Sequence, residues 1–207
     1  MIFMNKLIFL PLIFITSCGV FTWQTTINTL DGYFFGYERD SVSVDEFLES
    51  QYSFVSIKFG RAESVRLVLA FVLEDGLLEW RSADNISVFT KNGIIVKTDG
   101  LDSDFQNHNF SLSELINNGN QETKVSLTNP DLYYASALNT ISQDKTLEID
   151  YLDQVVSVTK FDHEIHLPTI KWKSRNTYYV DNSGNILLSL QEIHPMMPEM
   201  QLTFYYK

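Results

Sequence analysis

The side chains able to do chemistry in this chain are few. Four histidines occur in 207 residues. His163 and His166 are spaced i, i+3 and flanked by Asp162 and Glu164. Two imidazoles at that spacing reach one zinc ion only from a helix or a tight turn. The surrounding sequence is strand-like, and in a strand i and i+3 point to opposite faces. The pair therefore reads as part of a solvated hairpin, and no metal site is expected. His194 precedes Pro195 and reads as a turn residue. No G-x-S-x-G nucleophile turn occurs, and none of the nine glycines falls in a G-x-x-x-x-G-K phosphate loop. The acidic pairs Glu74/Asp75 and Asp102/Asp104 sit at turns, where carboxylates are usually solvated. A glycosidase needs two carboxylates facing each other across a cleft, which spacing alone does not supply. No catalytic residue and no cofactor is assigned, and the chain reads as a non-enzyme.

One residue does carry a defined chemistry. Cys18 is the only cysteine, so no internal disulfide is open to it. Ahead of it lie Lys6 and the apolar run Leu7–Ile15, too short to span a bilayer and interrupted by Pro11. That is the layout of a secretory signal peptide. Ile15-Thr16-Ser17-Cys18-Gly19 forms a bacterial lipobox. The thiol accepts diacylglyceryl as a thioether, and a peptidase that needs small residues at its subsites frees the Cys18 amine for acylation. Three acyl chains, at ~0.8 kcal/mol per buried CH₂, give stable anchoring where one would be marginal. Residues 1–17 are thus expected to be a lipoprotein signal peptide, 18–28 a lipidated tether and 29–207 one domain. Gly19, rather than Asp, points to the outer membrane, with the domain on its periplasmic face.

Charge narrows the partners. The formal net charge is −11, and removal of residues 1–17, with one lysine and no acid, makes it −12. Such a surface repels nucleic acid, and any contact with an acidic polymer must be local. Lys171, Lys173 and Arg175 would share one face of a strand, with Trp172 on the other. Trp80-Arg81 is a second aromatic-plus-cation pair. Both are candidate contacts for a polysaccharide or protein partner. The competing reading makes both tryptophans core and the cations ordinary solubility charges, and it is the favoured one.

These groups must be positioned by strands. Ser43-Val44-Asp45-Glu46 fits a capping box for a short helix ending near Ser50. Tyr52–Phe59 alternates. Val65–Leu73 is almost continuously apolar and reads as a strand buried on both faces. Asp75-Gly76 turns it into Leu77–Trp80, and Asn92-Gly93 joins Ile86–Thr90 to Ile94–Thr98. Asp102–Asn129 is more polar, with a modest helix from Ser111 or Ser113 through Ile116, closed by Asn-Asn-Gly. Strands resume at Leu132–Leu138, Thr146–Tyr151, Val155–Phe161, Glu164–Leu167, Tyr178–Val180, Ile186–Glu192 and Gln201–Tyr206. The expected fold is all-β: a single antiparallel domain built as a curved sheet, sandwich or barrel, with one or two short helices. Uneven strands argue against an outer-membrane barrel.

Several of these segments resemble the YjbF/GfcB family of lipoproteins linked to group 4 capsule and exopolysaccharide export. Leu67–Leu101 carries Trp80-Arg81-Ser82-Ala83-Asp84 and then Gly93 to Leu101, similar to the family's W-x-S-A-D and following hairpin. Asn176-Thr177-Tyr178-Tyr179-Val180-Asp181, Gly184, Ser189-Leu190-Gln191 and Pro195 resemble its C-terminal pattern. Gln51-Tyr52-Ser53 resembles its P-Y-A-like start, with Gln in place of Pro. The stretch Gln106–Lys145 departs most and lacks the family's tryptophan. The resemblance implies a β-rich periplasmic domain on an outer-membrane anchor, an accessory protein in polysaccharide secretion that meets the polymer and other export proteins. A glycan-modifying enzyme and a scaffold for an envelope protein are the alternatives.

Overall fold

Alternating runs separated by tight turns leave the chain one simple course, each strand pairing with the one before it. The computed structural model, which describes residues 42–207, follows that course. Twelve antiparallel strands close into a barrel in strict sequence order. The ring is sealed by β1 (Phe54–Phe59) against β12 (Met200–Tyr205), in register from Phe54–Tyr205 to Phe59–Met200. Cys18 and the expected tether lie outside the described residues.

Local chemistry sets the turns. Helix α1 (Val44–Glu49) starts where the Ser43 hydroxyl accepts from the Glu46 amide. β2 (Val65–Val72) and β3 (Leu77–Arg81) meet at a 3₁₀ tip where Asp75 has φ 58° and Gly76 φ 72°. β4 (Ser87–Lys91) and β5 (Ile94–Asp99) meet at Asn92 (φ 50°) and Gly93 (φ 78°), the positive pair a two-residue hairpin requires. After β6 (Phe105–His108), helix α2 (Leu112–Asn118) is capped by Ser111 and ended by Gly119 in the left-handed region.

The remaining strands differ from the sequence expectation in length. β7 (Asn120–Leu127) lies in the stretch read as polar. β8 (Leu132–Tyr151) is a single strand where two were expected, and so is β9 (Gln154–Leu167). Polar residues such as Ser142 and Asp144 do not interrupt β8, because they are exposed on a long hairpin. β10 (Trp172–Asp181) is also longer than expected, and β11 (Ile186–Gln191) follows it.

A second correction concerns Val65–Leu73. It is not buried on both faces: Val68, Phe71, Val72 and Leu73 are all exposed. A barrel wall is one layer thick, so only the inward positions, here Leu67, are enclosed. The outward rings get partial cover from cations. The Arg81 guanidinium stands 5.5 Å from the centre of the exposed Phe71 ring, and that of Arg66 4.4 Å from the centre of Phe54, a ring already buried against Val42 and Tyr205.

The interior is packed. Trp80, Phe105, Phe204, Tyr178, Ile57, Leu167, Met200 and Leu202 are among its fully buried large side chains. Around the ring β5 and β11 are diametrically opposed, yet they touch. A Cβ on Gly93 would lie 2.7 Å from the Ile186 Cβ. Gln191 of β11 donates to the Gly93 carbonyl at 3.0 Å and accepts from the Ile95 amide at 2.9 Å. The barrel is therefore flattened until its opposite walls meet. Charged residues such as Glu122, Glu164, Lys173 and Arg175 point outward on β7–β10, the reverse of a lipid-facing wall on that side of the barrel.

Candidate functional site

The flattening opens one seam. β5 pairs with β6 at a single position, Lys97–Gln106. Side chains replace the missing ladder on both sides of it. At one end the Asp104 carboxylate accepts from the Thr98 hydroxyl (2.9 Å) and from the Gly100 and Leu101 amides (3.1 and 3.2 Å). At the other, the Gln191 carboxamide acts as a surrogate peptide group for Gly93 and Ile95. Between and outside these clasps lies a trough of about 450 Å³.

Its walls carry Lys97, Asp99, Gln106, Ser126, Asp131 and Tyr133. The ladder between β7 and β8 slips between Val125 and Leu127, and Tyr134 takes φ 53°. This throws two adjacent tyrosines outward, Tyr133 at 87% and Tyr134 at 47% exposure. Tyr134 packs 5.1 Å from the His108 ring and 6.1 Å from Tyr133. The Ser126 hydroxyl fixes the shelf, accepting from the Tyr134 amide at 3.1 Å and pairing with His108 Nε2 at 3.0 Å. Among the described residues, the side chains of Asp99, Gln106 and Asp131 and the Tyr133 hydroxyl hold no hydrogen bond or ion pair. The Lys97 ammonium stands 4.9 Å from the centre of the Phe89 ring and holds no hydrogen bond or ion pair among the described residues. The trough thus presents free acceptors, free donors and an aromatic edge, the equipment of non-covalent binding.

A second polar group lies inside the wall. Asn139 Nδ2 donates to the Gln121 and Ala137 carbonyls and to the Thr123 hydroxyl. Its Oδ1 must then accept from His163 Nε2, 3.2 Å away, which leaves His163 Nδ1 to accept from the Tyr178 hydroxyl at 2.8 Å. Burial alone pushes His163 down to about 4. It also pushes the Tyr178 phenol far up, against a weaker opposing hydrogen bond at Asn176. His163 is 1% exposed, so the expectation of a solvated hairpin fails. A strand position that faces the interior is dry whatever residue occupies it, and here the partners satisfy the imidazole. His166 is half-buried on the other face, and no group of three or more His, Cys, Asp or Glu among the described residues could hold a metal.

The residues singled out in the sequence are scattered. Trp80 is wholly buried, its indole donating to the Thr90 hydroxyl at 2.8 Å, so it offers no surface to a partner. Arg81 is held at Glu79, which also accepts from the Ser87 hydroxyl. Lys171 lies outside β10, in the left-handed region at the end of the turn Pro168–Ile170, so the three cations do not share a strand face. Lys173 and Arg175 do alternate outward, against buried Ser174 and Asn176, and Trp172 is half-buried. Arg175 is already paired with Asp162 at 2.9 Å. Burial raises the Asp162 carboxyl, but Arg175, Lys160 and Thr177 outweigh this and hold it below its ordinary value. Lys160 bridges on to Asp144 at 3.0 Å. Arg175 is thus neutralised, whereas Lys171 and Lys173 are exposed and hold no ion pair among the described residues.

The trough itself went unread. One signal was available: two adjacent tyrosines in a strand cannot both face inward.

The motif residues behind the family resemblance build the wall. The Ser82 hydroxyl accepts from the Ile86 amide, Asn176 from the Glu192 amide, and Asp181 from the Ser183 and Asn185 amides. A family model described as "Group 4 capsule polysaccharide lipoprotein gfcB, YjbF" matches residues 27–205. The "Uncharacterized lipoprotein YjbF" of Escherichia coli K12 is 25% identical over 172 residues, which is 79% of this chain and 80% of that protein. The crystal structure of the hypothetical lipoprotein YmcC from the same organism shares the fold, with a TM-score of 0.68, 18% identity, and 90% of this chain and 98% of that one covered.

Proposed function

Since this chain belongs to the group 4 capsule polysaccharide lipoprotein family, we propose that it is a non-enzymatic accessory lipoprotein of capsule or exopolysaccharide secretion. It is held at the outer membrane by acyl chains on Cys18, with its barrel in the periplasm, where it works beside other export proteins. The family match over residues 27–205 carries the reading. Geometry supports the non-enzymatic part. Among the groups that burial displaces furthest from ordinary proton affinity, His163 and Tyr178 are sealed where no polymer reaches them, and the half-buried Tyr151, raised as far as Tyr178, is held by the Phe204 carbonyl. Perturbed groups at an active site would face a cleft.

Deleting the gene tests this. Polysaccharide at the cell surface should fall while assembly of the repeat unit continues. Unchanged surface polysaccharide would end the proposal, and arrest of repeat-unit synthesis would favour an enzyme.

A further inference from the structure

We infer that the trough between β5 and β6 is a binding site for a neutral hexopyranose stretch of the secreted polymer, with Tyr133 as its stacking platform. This rests on the secretion reading. Three observations lead to the ligand's chemistry.

The first is shape. The seam is an open trough and not a closed pocket, bounded on one side by β5 and on the other by β6, β7 and the start of β8. A polymer can lie along such a trough without presenting an end. The second is the aromatic edge. Tyr133 is 87% exposed, an unusual position for a large ring with an apolar face. One face of a pyranose is lined by C–H bonds, and it stacks on an aromatic face as other apolar surfaces do. The shelf is braced for this by the Tyr134–His108 contact and the Ser126 hydrogen bonds.

The third is charge. Sugar hydroxyls donate and accept, so they need both kinds of partner. Asp99 and Asp131 supply acceptors, Lys97 a donor and Gln106 both, and no side chain among the described residues holds these groups in hydrogen bonds or ion pairs. Two unpaired carboxylates against one ammonium, in a chain of net charge −11, repel a uronate or phosphate-bearing segment. With acidic segments disfavoured, the C–H face that Tyr133 stacks and the mixed donors and acceptors fit a neutral hexopyranose. The cations at Lys173 and Arg175 lie on another part of the wall and play no part here.

The test uses the full lipidated chain in detergent and the exopolysaccharide purified from the producing strain, with binding read by biolayer interferometry at 20 mM and 500 mM NaCl. Polygalacturonate is the acidic probe. The wild type should bind the exopolysaccharide with similar affinity at both salt concentrations and should not bind polygalacturonate. Tyr133→Ala should weaken binding roughly tenfold, the loss expected for one stacked ring. Asp131→Asn and Gln106→Ala should each weaken it several-fold. Lys173→Glu together with Arg175→Glu should leave it unchanged. The exposure of Tyr133 predicts an unaltered thermal melt for Tyr133→Ala, which separates loss of the site from loss of the fold.

Equal binding by wild type and Tyr133→Ala would overturn the site. So would tighter binding to polygalacturonate, or an affinity that collapses at 500 mM NaCl, because either would mark an ionic ligand. If no binding occurs but gene deletion still lowers surface polysaccharide, the trough assignment falls and the secretion reading stands. If binding occurs but deletion changes nothing, the site stands and the secretion reading falls.

Discussion

Gln191→Leu removes the bridge between the opposed walls of the barrel. Leucine approximates the volume but can neither accept from the Ile95 amide nor donate to the Gly93 carbonyl. Both backbone groups lie in residues that are fully enclosed, as is Gln191 itself. A buried polar group left without a partner costs about 1–3 kcal/mol. Two such groups give roughly 2–6 kcal/mol, of which water entering the seam would recover part. A net loss of about 3 kcal/mol corresponds to a Tm lower by roughly 6–12 °C for a domain of this size. Gln191→Glu sharpens the test. A carboxylate can accept from Ile95 but faces the Gly93 carbonyl with a second acceptor, and burial disfavours its charge. Its folded pKa should therefore rise above the unfolded value of about 4.3. The sign follows: the penalty is absent below the unfolded pKa, grows as pH rises, and is complete above the raised folded pKa. Urea melts at pH 7 and pH 5 should show Gln191→Glu strongly destabilised at pH 7 and partly recovered at pH 5, while Gln191→Leu shows no such recovery. The exposed Gln154→Ala is the control and should change stability by less than about 0.5 kcal/mol. A Gln191→Leu protein within about 0.5 kcal/mol of wild type would refute the bridge.

Burial holds His163 at about 4 against an ordinary 6.5, so its contribution to stability is intact above pH 6.5 and is lost as pH falls towards 4. In urea melts the wild type should lose about 2 kcal/mol through this residue between pH 7 and pH 5, a loss absent from His163→Gln; His194, also lowered chiefly by burial, leaves a residual slope of the same sign. Gly93→Ala combines a left-handed φ of 78° with a 2.7 Å approach to Ile186, and a thermal melt should report a loss of roughly 1–3 kcal/mol. Arg175→Ala should cost at most about 1 kcal/mol, because its side chain is 66% exposed and Lys160 still faces Asp162.

The parts of the fold that were legible in the sequence were those set by near neighbours. Ser43 with Glu46, Ser111 with Gly119, and Asn92-Gly93 act within a few residues, and each lies where its chemistry implied. β7 was missed because Thr123, a buried position of 2% exposure, is polar and hides the alternation it shares with Val125 and Leu127. His163 hid its burial in the same way. The reverse happened at Val65–Leu73, where apolar residues on both faces suggested two covered sides and the single-layer wall covers one. The trough was the least legible feature. It depends on β5 meeting β6 at one pair only, and on Gln191 reaching across the barrel from 96 residues away. Nothing in Gln106 or Asp131 alone records that. The anchor proposed at Cys18 rests on five consecutive residues, Ile15 to Gly19, and on no tertiary partner.

That anchor joins the two halves of the proposed function, membrane attachment and secretion, and one complementation measurement addresses both. A deletion strain is supplied with either the wild-type gene or Cys18→Ser, and surface polysaccharide is quantified alongside incorporation of a fatty-acid analogue into the protein. The wild type should take up the label and restore surface polysaccharide. Cys18→Ser should accumulate as an unlabelled precursor and restore little, since a hydroxyl is a poor substitute for the thiolate nucleophile. Label retained on Cys18→Ser, or full restoration by the unlabelled protein, would contradict the account.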